Sequence, residues 1–98
     1  MKAQIYNFSG WIKEVDSEKL RGLMNDILEK SGFNVLNYVD HEYVPEGYTA
    51  VWLLSESHFA VHSFPEEDKT YIELSSCNEI KNNRFIELIS KYIIDGKN

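Results

Sequence analysis

A single cysteine, Cys77, stands in 98 residues. No disulfide can close within the chain, and a reducing cytoplasm is the expected compartment. No stretch approaches the ~20 consecutive apolar residues of a membrane span. The N-terminus has one early lysine and no long apolar run, so no signal peptide is expected. Basic residues are scarce: 10 Lys and Arg against 16 Asp and Glu leave a net charge of −6. Without a basic stripe to neutralise phosphates, nucleic acid is excluded as the expected partner. The balance suits a small cationic substrate better. Glycine-rich phosphate loops and a Gly-x-Ser-x-Gly elbow are both absent. His58 and His62 have a chelating spacing for a helix, but on a strand they lie about 13 Å apart. No second ligand pair stands nearby, so no metal site is expected.

What is present suits one soluble globular domain over residues 1–98, with 43% hydrophobic and 27% charged residues. A chain of this size buries roughly 60–65% of its unfolded surface, so the core is modest and dimerisation would help. Residues 3–8 read as a first strand. Asp16 or Ser17 is a plausible helix N-cap, and Leu20, Leu23, Met24, Ile27 and Leu28 then form one helical face. Gly32 supplies the stop. Strands follow over residues 34–43, 49–55, 58–63 and 70–77, with turns at Pro45-Glu46-Gly47 and around Pro65-Glu66-Glu67-Asp68. A last helix is predicted over 80–94, with Phe85, Ile86, Leu88, Ile89, Tyr92 and Ile93 as its apolar side. The fold class is therefore α+β: a two-layer sandwich of one mainly antiparallel sheet with two helices on one face. Alternation turns Phe59, Val61, Ile72 and Leu74 toward the helices. His58, Ala60, His62, Tyr71, Glu73, Ser75 and Cys77 point the other way, onto a face that is either solvated or a subunit interface.

One segment carries more than fold. Residues 53–65 contain Glu56-Ser57-His58, then His62, Phe64 and Pro65, with Glu66 next and Cys77 fifteen residues past His62. Upstream runs His41-Glu42-Tyr43-Val44-Pro45-Glu46-Gly47. In this register the sequence resembles the bacterial S-adenosylmethionine decarboxylase family over roughly residues 3–92. The resemblance implies a proenzyme that cuts itself at Glu56-Ser57. The Ser57 hydroxyl would attack the preceding carbonyl, converting amide to ester. β-Elimination would then give a β chain of residues 1–56 and an α chain of residues 57–98, with a pyruvoyl group derived from Ser57 as cofactor. That ketone would form a Schiff base with the substrate amine and accept electrons as CO2 leaves. Cys77 matches the family's proton donor. By the same resemblance Tyr43 would stack on adenine and Glu66 bind ribose hydroxyls. Thr49 and His62 would support processing. The implied product supplies the aminopropyl donor for spermidine.

Strand geometry adds an independent expectation. If strands 58–63 and 70–77 form a hairpin with Ser63 opposite Thr70, Ser57 lies opposite Ser76, beside Cys77. His62 is then about 16 Å from Ser57 along the strand. A two-fold dimer could bring His62 from the partner. With the resemblance, which implies sites that combine groups from both halves, the expectation is a homodimer-interface site with Ser57, Glu56 and Cys77 from one subunit and Tyr43, Thr49, His62 and Glu66 from the other. Some positions depart from the family. Thr49 stands where serine is usual, Glu42 where Arg is common, Glu46 where Gln is common, and Asn78 where glycine follows the cysteine. The acidic changes keep open a second substrate class, basic amino acids such as ornithine or arginine. An uncleaved, non-catalytic homologue that binds a ligand or partner is the third reading.

Overall fold

The computed structural model describes residues 3–94. The residues at either end of the expected 1–98 domain, and the last four of the expected α chain, lie outside that range. Six strands form one sheet: β1 (Tyr6–Ile12), β2 (Val35–Glu42), β3 (Tyr48–Leu54), β4 (Ser57–Phe64), β5 (Lys69–Ser76) and β6 (Ile93–Ile94). Two helices, α1 (Ser17–Ser31) and α2 (Glu79–Ile89), complete the α+β sandwich. The strand order is β2-β3-β4-β5-β1-β6, with every neighbouring pair antiparallel.

Local chemistry sets the helix ends. Asp16 caps α1 by accepting the Lys19 N–H at 3.0 Å. Gly32 ends it at φ 96°, a conformation that costs a residue with a Cβ about 1–2 kcal/mol. Asn78 caps α2 by accepting the Lys81 N–H at 2.9 Å, which gives the residue after Cys77 a structural task. The apolar faces of α1 and α2 meet the sheet in a single core. Leu20, Met24, Leu28, Phe85 and Ile89 are fully buried with Trp52, Phe59, Val61, Ile72 and Leu74.

Two expectations need correction. β1 covers residues 6–12, not 3–8, because pairing with β5 carries it on through Ser9 and Gly10 to Ile12. Glycine there reads as a break in the sequence. In the fold a Cβ on Gly10 would meet the Ile93 side chain at 3.0 Å, so the position needs a small residue. The last helix ends at Ile89 rather than continuing to 94. A 3-10 turn over Ser90–Tyr92 redirects the chain, and β6 pairs Ile93 with Ile12 and Ile94 with Trp11. Unpaired backbone on β1 and two β-branched residues outweigh the helical spacing of Leu88, Ile89, Tyr92 and Ile93.

The helix-free face of the sheet carries His58, Ala60 and His62 on β4. Thr49, Val51 and Leu53 stand beside them on β3, and Tyr71, Glu73 and Ser75 on β5. Val39, Val51 and Leu53 are 66%, 36% and 51% exposed, an uncovered apolar stripe across β2 and β3.

Candidate active site

The seven site residues fall into two groups at opposite ends of β4. Glu56, Ser57 and Cys77 stand where β4 begins and β5 ends. The observed register pairs Ser63 with Thr70 and Ser57 with Ser76, as the hairpin argument predicts. β3 and β4 are joined by only two residues, Ser55 and Glu56, and Glu56 takes φ 63°. This left-handed conformation costs a non-glycine residue about 1–2 kcal/mol. It lies directly before the Glu56–Ser57 peptide bond. The Glu56 carbonyl oxygen accepts the Cys77 N–H at 3.4 Å and the Cys77 thiol at 3.1 Å. The thiol also lies 3.9 Å from the Glu56 carboxylate. Cys77 is exposed, whereas Ser57 is buried.

The Ser57 hydroxyl points into the helix-facing side of the sheet. It donates to the Ser76 hydroxyl at 2.8 Å. Ser76, 1% exposed, in turn accepts the Asn78 N–H at 2.9 Å and lies 3.4 Å from the Asn78 carbonyl as donor. Sequence reasoning placed Ser76 opposite Ser57 but gave it no part. It also missed the strained Glu56. A signal was available: a two-residue hairpin loop strongly favours a turn with a positive φ, whatever residues occupy it.

The second group lies at the far end of β4. Thr49 pairs with His62 across β3 and β4, and its hydroxyl is 3.1 Å from His62 Nδ1. Threonine thus offers this ring the hydroxyl that a serine would. Tyr43, half exposed, follows β2, and its N–H closes the turn onto the Gly47 carbonyl at 2.9 Å. Gly47 has φ 114°, which accounts for glycine there. Glu66 sits in a 3-10 turn over Pro65–Glu67. Tyr43, Thr49, His62 and Glu66 line one cavity of about 330 Å³, together with Glu46 and Phe64. That volume is at the small end of ligand pockets. Within one chain the two groups stay apart, separated along β4 by about 16 Å. Ser57 and His62 also point to opposite faces, as alternation along β4 dictates for residues five apart. Among the described residues no group of three or more His, Cys, Asp or Glu is arranged to hold a metal ion. No described helix is long and apolar enough to cross a membrane.

Fold and site together define an α+β sandwich with a buried serine behind a strained, doubly hydrogen-bonded carbonyl and a small-ligand cavity at the other end of the same strand. The chain belongs to the S-adenosylmethionine decarboxylase family, whose profile matches residues 3–96. It is 35% identical over 67 residues to the S-adenosylmethionine decarboxylase proenzyme of Bacillus velezensis, covering 68% of this chain and 50% of that protein. It is 31% identical over 84 residues to S-adenosylmethionine decarboxylase proenzyme 1 of Bacillus cereus, covering 85% of this chain and 62% of that protein. A third relative, the proenzyme of Prochlorococcus marinus, is 29% identical over 68 residues, 69% of this chain and 56% of that protein. The match thus spans about half the length of these relatives. The fold resembles the crystal structure of the adenosylmethionine decarboxylase from Aquifex aeolicus, with a TM-score of 0.77 at 19% identity. The match covers 99% of this chain and 86% of that one.

Proposed function

We propose that this chain is a single-domain proenzyme that cuts itself between Glu56 and Ser57 and then decarboxylates S-adenosylmethionine for spermidine synthesis. The observation that carries the reading is the Glu56 carbonyl. It sits in a left-handed residue and accepts two hydrogen bonds from Cys77, and the next residue is a buried serine. Attack by the Ser57 hydroxyl on that carbonyl puts negative charge on its oxygen. The Cys77 N–H and thiol are already aimed there, as donors to a developing oxyanion. The amide becomes an ester, and the Ser57 proton ends on the freed nitrogen. Loss of the residue 57 α-proton then expels Glu56 as a carboxylate. Hydrolysis of the resulting enamine releases ammonia and leaves the ketone. The left-handed turn ceases to be required once the chain is cut, so its strain favours cleavage.

The residues fit a pyruvoyl group at position 57. It would supply a carbonyl that holds the substrate amine and takes up electrons as CO2 leaves. Around it this chain's side chains bind and move protons. The exposed Cys77 thiol can donate to the substrate α-carbon. Thr49 fixes the His62 ring through Nδ1. Tyr43 offers a half-exposed ring for stacking on adenine, and Glu66 offers a carboxylate for ribose hydroxyls. A homodimer through the helix-free face would cover the Val39, Val51 and Leu53 stripe. It would also bring the cavity of one subunit toward the Ser57 end of the other. The exposed free thiol suits a reducing cytoplasm.

Glu46 and Glu66 both line the cavity, and this favours a second reading in which a basic amino acid such as ornithine or arginine is the substrate. Intact-protein mass spectrometry tests the first step. Two fragments meeting at 56/57 are expected, and Ser57→Ala should leave the chain whole. Full-length protein after prolonged incubation would instead support a non-catalytic ligand-binding homologue. CO2 release from S-adenosylmethionine, ornithine and arginine then separates the substrates.

A further inference from the structure

We propose that Ser76 is a positioning residue for self-cleavage, holding the Ser57 hydroxyl in the orientation from which it attacks Glu56. The inference rests on the self-cleavage reading above and concerns its first step. The Ser57 side chain is buried against the helix layer, on the opposite face from His62. Its hydroxyl has one short hydrogen bond, to Ser76 at 2.8 Å, and in that bond Ser57 is the donor. A serine that gives its proton away keeps both oxygen lone pairs free, one of which must reach the Glu56 carbonyl carbon.

Ser76 is itself fixed. It is 1% exposed on β5, pairs with Ser57 across the strands, and accepts the Asn78 N–H at 2.9 Å. Asn78 is anchored as the N-cap of α2 through the Lys81 N–H. Neighbouring Cys77 fixes the other partner of the reaction, the Glu56 carbonyl oxygen. Three consecutive residues, Ser76, Cys77 and Asn78, therefore hold the attacking oxygen and the attacked carbonyl in one frame. In the step itself the Ser57 Oγ to Glu56 carbon bond forms and the carbon to nitrogen bond breaks. The hydroxyl proton finishes on that nitrogen, and Ser76 is unchanged.

The test compares Ser76→Ala, Ser76→Thr and Ser76→Val, each followed by intact mass against time. Thr and Val share a shape and differ in the hydroxyl, so packing and hydrogen bonding separate. Loss of the hydroxyl in Ser76→Ala and Ser76→Val should slow cleavage by about tenfold to a hundredfold. Ser76→Thr should cleave within a few-fold of the parent chain. Hydroxylamine, which cuts an ester but not an amide, reports the step affected. The slow variants should remain slow in it, because the ester itself forms slowly. Equal cleavage in all four proteins would overturn the proposal. So would equal rates for Thr and Val, or rescue of Ser76→Ala by hydroxylamine to the parent rate. A parent chain that stays whole even in hydroxylamine overturns the self-cleavage reading instead, and is recognised without any variant.

Discussion

At the residue scale the decisive position is Glu56, one of two left-handed non-glycine residues among those described, with Asp68, and the one directly before Ser57. Its chemistry does not require that conformation; the two-residue connection from β3 to β4 does. Glycine would fit at lower cost. In a Ser57→Ala background, where no cut intervenes, Glu56→Gly should stabilise the fold by about 0.5–1 kcal/mol after the entropy cost of glycine. Thermal melting should rise by a few degrees. A lower melting temperature would mean the Glu56 side chain contributes more than its backbone costs. Ser57, His62 and Cys77 were singled out in the sequence by their joint register with the family's motifs, since each residue alone is a weak signal. The backbone strain was legible only in the two-residue length of the β3–β4 connection, because nothing in a glutamate side chain announces a positive φ. Ser76 was hidden for another reason: a serine in a strand has many uses, and only its 2.8 Å contact selects one.

At the element scale the edge of the sheet is tied to α1 by a polar network. The Tyr48 hydroxyl donates to Asp40 at 2.6 Å and the Tyr38 hydroxyl at 2.9 Å, while the two phenols also touch each other. Arg21 of α1 reaches Asp40 at 3.2 Å. The Tyr48 hydrogen bond leads in holding the Asp40 carboxyl below its usual range, with Tyr38 adding and burial opposing. A carboxylate depressed in the fold contributes stability above its unfolded value near 3.9 and loses it as pH falls through the folded value. Burial, then Asp40, push the Tyr48 phenol up. That contribution is full below the unfolded value near 10 and is lost as pH rises through the folded one. Urea midpoints at pH 3, 7 and 10.5 should therefore fall at both ends. Asp40→Asn should flatten the acid limb and Tyr48→Phe the alkaline limb; an unchanged acid limb in Asp40→Asn would rule this out. The elements themselves read well where one face is buried, as in β3, β4, β5 and α1, since period and burial agree. They read poorly at β1 and β6, where pairing partners distant in sequence decide the outcome.

At the scale of the whole molecule, the proposed reading needs two subunits per site, because its two residue groups lie at opposite ends of β4. Co-expression of Cys77→Ala with Tyr43→Ala tests this. Random pairing makes half the dimers mixed, and each mixed dimer would hold one intact site, so about one quarter of the parent activity should return. No recovery would place each site within one chain. The strand order has a further consequence for a cut chain. The piece ending at Glu56 would own β1, β2 and β3, and the piece starting at Ser57 would own β4, β5 and β6. Yet β1 lies between β5 and β6, with seven residues paired along β5. The fragments would be woven through one another, so scission need not release either. What scission would change is reversibility. Before it, one polymer threads itself once, independent of concentration. Afterwards, two separate polymers would have to meet before the weave could form again. The fold would then be assembled as a precursor and kept by the slowness of its undoing rather than by any ready route back.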